Sequence, residues 1–99
     1  MNAINRQEEN DPKRTVLEID ITNHPGAMSH VVGLFSRRAF NIEGIHCVPV
    51  GDRTNSRIWL LLQADARVPQ MIKQLDKLED VIMIRQHDNG HPVFGALLA

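Results

Sequence analysis

The sequence holds one cysteine, Cys47, no tyrosine, one tryptophan and three phenylalanines in 99 residues. A lone cysteine excludes an internal disulfide and a multi-thiolate metal site, and suits a chain kept in a reducing, cytoplasmic compartment. So few aromatics imply an aliphatic core of Ile, Val, Leu and Met. Neither charge is in excess: 11 Lys and Arg face 12 Asp and Glu, a formal net charge of −1 with histidines neutral. That balance argues against recognition of phosphate backbones, which rests on a clustered positive field. Long apolar runs are missing too. Ile58–Leu62 and Val93–Ala99 fall far short of the roughly 18 residues of a membrane-spanning helix. Residues 1–13 hold no apolar segment of a signal peptide. The expectation is one small soluble domain with neither nucleic acid nor membrane as partner.

What is present is a pattern of periods. Residues 1–13 read as a flexible polar arm. Leu17, Ile19 and Ile21 alternate with Glu18 and Asp20, the mark of a half-buried strand. The strand stops at Asn23-His24-Pro25-Gly26. Val31, Leu34, Phe35 and Arg38 then recur at helical spacing, with Asn23 or His24 as the cap and Pro25 suited to the first turn. Gly33 inside this helix predicts close packing against a neighbour. Asn41 is placed as a left-handed exit residue.

Ile42–Val50 is the second strand, and Gly44 and Pro49 assign it to a sheet edge. Cys47 on it reads as a buried small hydrophobe. A turn at residues 51–56 leads into Arg57–Gln63, apolar on both faces and therefore central. Val68, Met71, Ile72, Leu75 and Leu78 form the stripe of a second helix, with Asp65 as its cap candidate. Val81–Gln86 is the fourth strand. The order β-α-β-β-α-β is the ferredoxin-like α+β plan, a four-stranded antiparallel sheet with two helices on one face.

This plan hosts several chemistries, so function must come from a site. An RNA-binding version needs aromatics on the first and third strands, and only Trp59 is there. A copper-carrying version needs a Cys-x-x-Cys pair near His24, which is absent. His24 and His30 do not share a helix face. His87, Asp88 and His91 give a faint metal pattern that solvated loop histidines explain as well. Arg37-Arg38 read as solvated charges that offset the helix dipole, with contact to an acidic partner surface as the alternative, and Glu79-Asp80 as solvated punctuation. No nucleophile–base pair is visible.

One element stands out. In Asn23-His24-Pro25-Gly26-Ala27-Met28 a strand end meets a helix start, whose unpaired N–H groups can receive a carboxylate. Gly26 permits close approach, and Asn23 offers a donor and an acceptor. Helix capping alone would also account for Asn23, Pro25 and Gly26.

The run from Asn23 to Ile45 (NHPGAMSHVVGLFSRRAFNIEGI), with Ser56–Leu61 and Gln74–Val81, resembles the ACT domain of the small regulatory subunit of acetohydroxyacid synthase (acetolactate synthase). The likeness spans roughly residues 14–86 and is nearest to the family's short isozyme I form. The resemblance implies an ACT domain over 14–86, followed by an 87–99 tail onto which nothing is carried. It implies a non-catalytic subunit of a homodimer that binds valine between paired ACT domains and activates a large catalytic subunit. Thiamine diphosphate, Mg²⁺ and FAD would belong to that large subunit, with no cofactor or metal on this chain. The family's longer members carry a second C-terminal domain, so regulation here is expected to run through one ACT domain. By the same resemblance the effector residues are Asn23, His24, Pro25, Gly26, Ala27 and Met28, with Asn41 and Ile42 closing the pocket from the partner subunit. A different class of function stays open: a structural, activating subunit with no small-molecule ligand.

Overall fold

Alternation along Arg14–Thr22 makes this segment strand β1, with Leu17, Ile19 and Ile21 buried on one face. A computed structural model describes residues 13–88 and 91–95; the expected arm, apart from Lys13, lies outside them. After β1 come α1 (Ala27–Arg37), β2 (Gly44–Val50), β3 (Asn55–Gln63), α2 (Val68–Asp76), β4 (Val81–His87) and a 3₁₀ turn at Pro92–Phe94. The sheet order is β2-β3-β1-β4 and every pairing is antiparallel. The two-faced apolar strand β3 and β1 are central, and β2 is an edge, as Gly44 and Pro49 require.

Both helices cover one face. Val31, Leu34 and Phe35 of α1 and Val68, Met71 and Leu75 of α2 join Leu17, Ile19, Ile58, Leu60 and Leu62 in the main core. Pro69 is the second residue of α2, inside the first turn where a proline removes no helical bond. Asp65 lies before that helix, and its carboxylate accepts the Arg67 N–H at 2.7 Å.

Four local expectations fail for identifiable reasons. The residue before α1 is Gly26, left-handed at φ 91°, and no side chain caps the helix; Pro25 therefore lies outside it. At the far end the left-handed residue is Ala39 (φ 53°), not Asn41. There the Phe40 N–H reaches back to Phe35 O at 2.9 Å, and Ala39 N–H to Ser36 O at 3.1 Å. The two phenyl rings meet edge to face at 5.7 Å. That closure fixes where the helix ends, because the apolar contact outweighs the roughly 1 kcal/mol cost of a non-glycine left-handed residue. Gly33 faces no neighbouring element; a Cβ there would meet only Nη1 of Arg37, at 3.3 Å. Cys47 is exposed. It pairs with Ile58 on the helix side of the sheet, but on an edge strand that the helices do not cover.

The opposite face carries a second, smaller core. Phe94, 2% exposed, packs with Val16 and Leu61, bordered by Trp59 and Val93. Gly44 makes room for it: a Cβ at this position would lie 3.1 Å from the Phe94 ring. The apolar segment that begins at Val93 thus docks on the sheet through Phe94; residues 96–99 lie outside the described part.

Candidate functional site

The segment Asn23–Met28 forms a tethered turn. Asn23 donates its backbone N–H to Thr54 O and its Nδ2 to Arg53 O, both at 2.9 Å, which ties the loop to the β2–β3 hairpin. The side-chain nitrogen of Asn23 is thereby committed, leaving Oδ1 as the group able to meet an ammonium. Ala27 N–H reaches His24 O at 3.2 Å and His30 N–H reaches Gly26 O at 2.9 Å. Among the described residues, the N–H groups of Met28 and Ser29 are donated to no backbone carbonyl. They sit at the positive end of α1, beside a Gly26 whose missing Cβ would meet nothing within 4 Å. Asn23, His24, Pro25 and Gly26 are exposed, Met28 is 37% exposed, and Ala27 is buried as the helix's first anchor.

Asn41 and Ile42 lie elsewhere. They follow the other end of α1, whose 11 residues, at about 1.5 Å each, put roughly 16 Å between the two groups. Asn41 is exposed and Ile42 packs against the main core. One chain therefore does not bring all eight residues together. Asn41 borders a concavity of about 150 Å³ shared with Phe40, Gln63 and Arg67. The Arg67 guanidinium lies 4.7 Å from the Phe40 ring centre and donates to Arg38 O at 3.2 Å. A second concavity, about 390 Å³, opens between Thr15, Ala64, Val68 and Gln86. At about 3.3 Å per strand residue it is some 23 Å from the end of β1. Neither concavity includes a residue of the Asn23–Met28 loop.

Asp80 was not expected to matter. Its carboxylate accepts from Nε2 of His24, from Nδ1 of His30 at 3.0 Å and from the Thr22 hydroxyl at 3.4 Å. Its backbone carbonyl accepts the Thr22 N–H at 2.9 Å. Hydrogen bonds from His24 and His30, opposed by desolvation, hold the Asp80 pKa below the ordinary carboxylate value. The hydrogen bond to Asp80, and then that to the Pro25 carbonyl, raises the pKa of His24. The sequence signal was slight: the histidines share no helix face, and their common partner lies 50 or more residues away.

His87 and His91 are not simply solvated loop residues. His87 ends β4, and its Nε2 lies 3.0 Å from Oε1 of Glu18; Nε2 of His91 is 4.0 Å from the same oxygen. Their ligand-type atoms lie within 4.8 Å of one another, close enough to face one ion. Other partners already engage the set. Arg85 Nη1 holds Oε2 of Glu18 at 2.9 Å, and Nδ1 of His91 accepts the Val93 N–H at 3.1 Å. Glu18 and His87 are joined by a hydrogen bond. His91 packs its ring on His87 at 4.8 Å while holding the Val93 N–H, which fastens the start of the tail. Cys47 is no activated nucleophile, since desolvation pushes its thiol pKa up.

The sequence model of the AHAS small subunit-like ACT domain matches residues 17–83. The acetolactate synthase isozyme 1 small subunit of Escherichia coli K12 is 50% identical over 82 residues, covering 83% of this chain and 85% of that protein. The acetolactate synthase small subunit of Haemophilus influenzae is 46% identical over 72 residues, 72% of this chain and 44% of the relative. Among solved structures, the acetolactate synthase small subunit of Thermotoga maritima superposes with a TM-score of 0.68 at 29% identity, over 75% of this chain and 47% of that one.

Proposed function

Since this chain belongs to the acetohydroxyacid synthase small-subunit family of ACT domains, we propose that it binds valine at the start of α1 and carries that signal to a large catalytic subunit. The chain is a regulatory subunit, not itself the catalyst. The observation that carries the effector reading is the left-handed, open Gly26 beside the undonated N–H groups of Met28 and Ser29. A carboxylate would bind there as an anion binds a helix N-terminus, and Oδ1 of Asn23 would take the ammonium. The half-exposed Met28 supplies apolar surface for an isopropyl group. Isoleucine differs from valine by one methylene, worth only about 1–3 kcal/mol, so discrimination between them is modest.

Asn41 and Ile42 complete the pocket only from a second copy, because α1 separates them from the loop. A homodimer paired along the free edge of β2 would supply that copy. It would also cover a strand edge, which is otherwise open to unwanted pairing. Cofactor chemistry belongs to the large subunit, and the assembly works in the cytoplasm.

The test is Gly26→Asp in the complex with the large subunit. The new carboxylate would occupy the effector's place and repel it, far from the stripe of Val31, Leu34 and Phe35. The complex is expected to assemble, turn over pyruvate and ignore valine, a loss of the roughly 1–3 kcal/mol typical of effector coupling. Inhibition at unchanged valine concentrations would place the site elsewhere. Failure to activate the large subunit would mean that Gly26, left-handed at φ 91°, serves the fold or the partner contact instead.

A further inference from the structure

The loop that begins α1 is held from both sides by a residue outside it. Asp80 lies in the turn between α2 and β4, after Leu78 and before Val81 of β4. Three segments converge on its carboxylate: the end of β1 through the Thr22 hydroxyl, the loop through His24, and the first turn of α1 through His30. Its side chain is 13% exposed, so the contacts are partly shielded from water. The N–H groups of Met28 and Ser29 lie between His24 and His30 in the chain, and both histidines end on Asp80.

We propose that Asp80 is the positioning residue of the effector loop, joining β1, the loop and α1 into one unit and thereby setting affinity for the carboxylate effector. This rests on the effector reading above and assigns the residue that regulates that site. As His24 loses its proton, two physical effects act in the same direction, whereas in Asp80→Ala the loss of loop ordering must outweigh the removal of a repelling charge. Cutting the Asp80 contacts frees the loop at both ends, so the helix N–H groups lose their fixed aim and binding must first order them. The charge matters as well. An uncovered carboxylate near an anion site repels the incoming anion, and a protonated His24 covers it.

The titratable groups acting here are His24 from the loop, His30 from α1, and Asp80 with its neighbour Glu79 from the turn. Arg53 approaches the loop only through its backbone carbonyl. The folded pKa of His24 is raised above its ordinary 6.5. Its ion pair with Asp80 is therefore complete below about 6.5 and is lost as pH rises through the folded value. Effector affinity should fall over the same interval.

The experiment measures valine inhibition of the reconstituted holoenzyme from pH 6 to 8.5, each variant normalised to its own rate without valine. Wild type should need roughly fivefold more valine at the alkaline end, the worth of one exposed charge contact. Asp80→Ala should raise the half-inhibitory concentration about tenfold or more at pH 6 and flatten the pH dependence. His24→Gln, at a position 46% exposed in its side chain, should keep the fold and flatten the profile with a smaller shift at pH 6. It decides the matter if Asp80→Ala does not fold. Midpoints within twofold of wild type and an unchanged pH slope in the folded variants would overturn the inference. Gly26→Asp in parallel separates the failures: if it too still responds to valine, the effector reading falls; if it alone loses the response, only the role of Asp80 falls.

Discussion

Glu18 and Asp80 each draw two histidines, but in opposite settings. Glu18 stands mid-strand on β1, 8% exposed, with His87 and His91 above it and Arg57 and Arg85 beside it. Asp80 stands in a turn at the rim of the sheet, and its histidines are 46% and 62% exposed in their side chains. Burial alone would raise the pKa of Glu18. The hydrogen bond from His87 and the positive charges of Arg57, Arg85 and His87 outweigh it and bring the value below the ordinary 4.5. At Asp80 the histidines alone do this. The same pair of residue types therefore serves two ends. Under the tail it surrounds a mid-strand carboxylate that is itself buried, where loss of a partner is expensive. At the rim it steadies a loop that remains open to a ligand.

The comparison breaks most sharply at the tail. Phe94→Ala should lower unfolding free energy by about 3 kcal/mol in urea titrations, as for other buried phenylalanines; a change under about 1 kcal/mol would mean that the tail only rests on the sheet. Glu18→Gln comes next. It leaves Arg85 and Arg57 without their carboxylate and should cost about 1–3 kcal/mol at neutral pH. Because the folded pKa of Glu18 is depressed, its contribution is present above about 4.5 and is lost as pH falls through the folded value. The variant's melting temperature should vary less with pH on the acid side than that of the wild type. The smallest stability effect is expected for Asp80→Asn, since its histidine partners are largely exposed and solvent-screened pairs contribute little. If Asp80→Asn destabilised as much as Glu18→Gln, the rim cluster would be structural and the contrast would disappear.

Much of the fold was legible because its determinants are local or periodic. Residues Ile58–Leu62, apolar on both faces, could only be central, and Gly44 with Pro49 could only be an edge. Gly44 held more than its edge signal: it also clears the place for Phe94, which no period reveals. The resemblance marked the loop Asn23–Met28, but its geometry was not visible. Asn23 looked like a helix cap, yet a hairpin carbonyl 30 residues away claims its side chain. Asn41 looked like the left-handed residue because asparagine tolerates that backbone, yet the closure of Phe40 on Phe35 moved the turn to Ala39. Asp80 was invisible for the plainest reason: an aspartate in a turn is ordinary, and its partners are distant in sequence.

The span of α1 between the Asn23 loop and Asn41 has a genetic consequence. If each pocket takes its loop from one copy and its closing residues from the other, a two-fold pair contains two pockets built from complementary halves. A chain broken at Gly26 and a chain broken at Asn41 would each form insensitive homodimers. Mixed, they assemble a heterodimer in which both lesions fall in one pocket and the other is intact. Two valine-blind alleles expressed together would then restore part of the response that neither has alone.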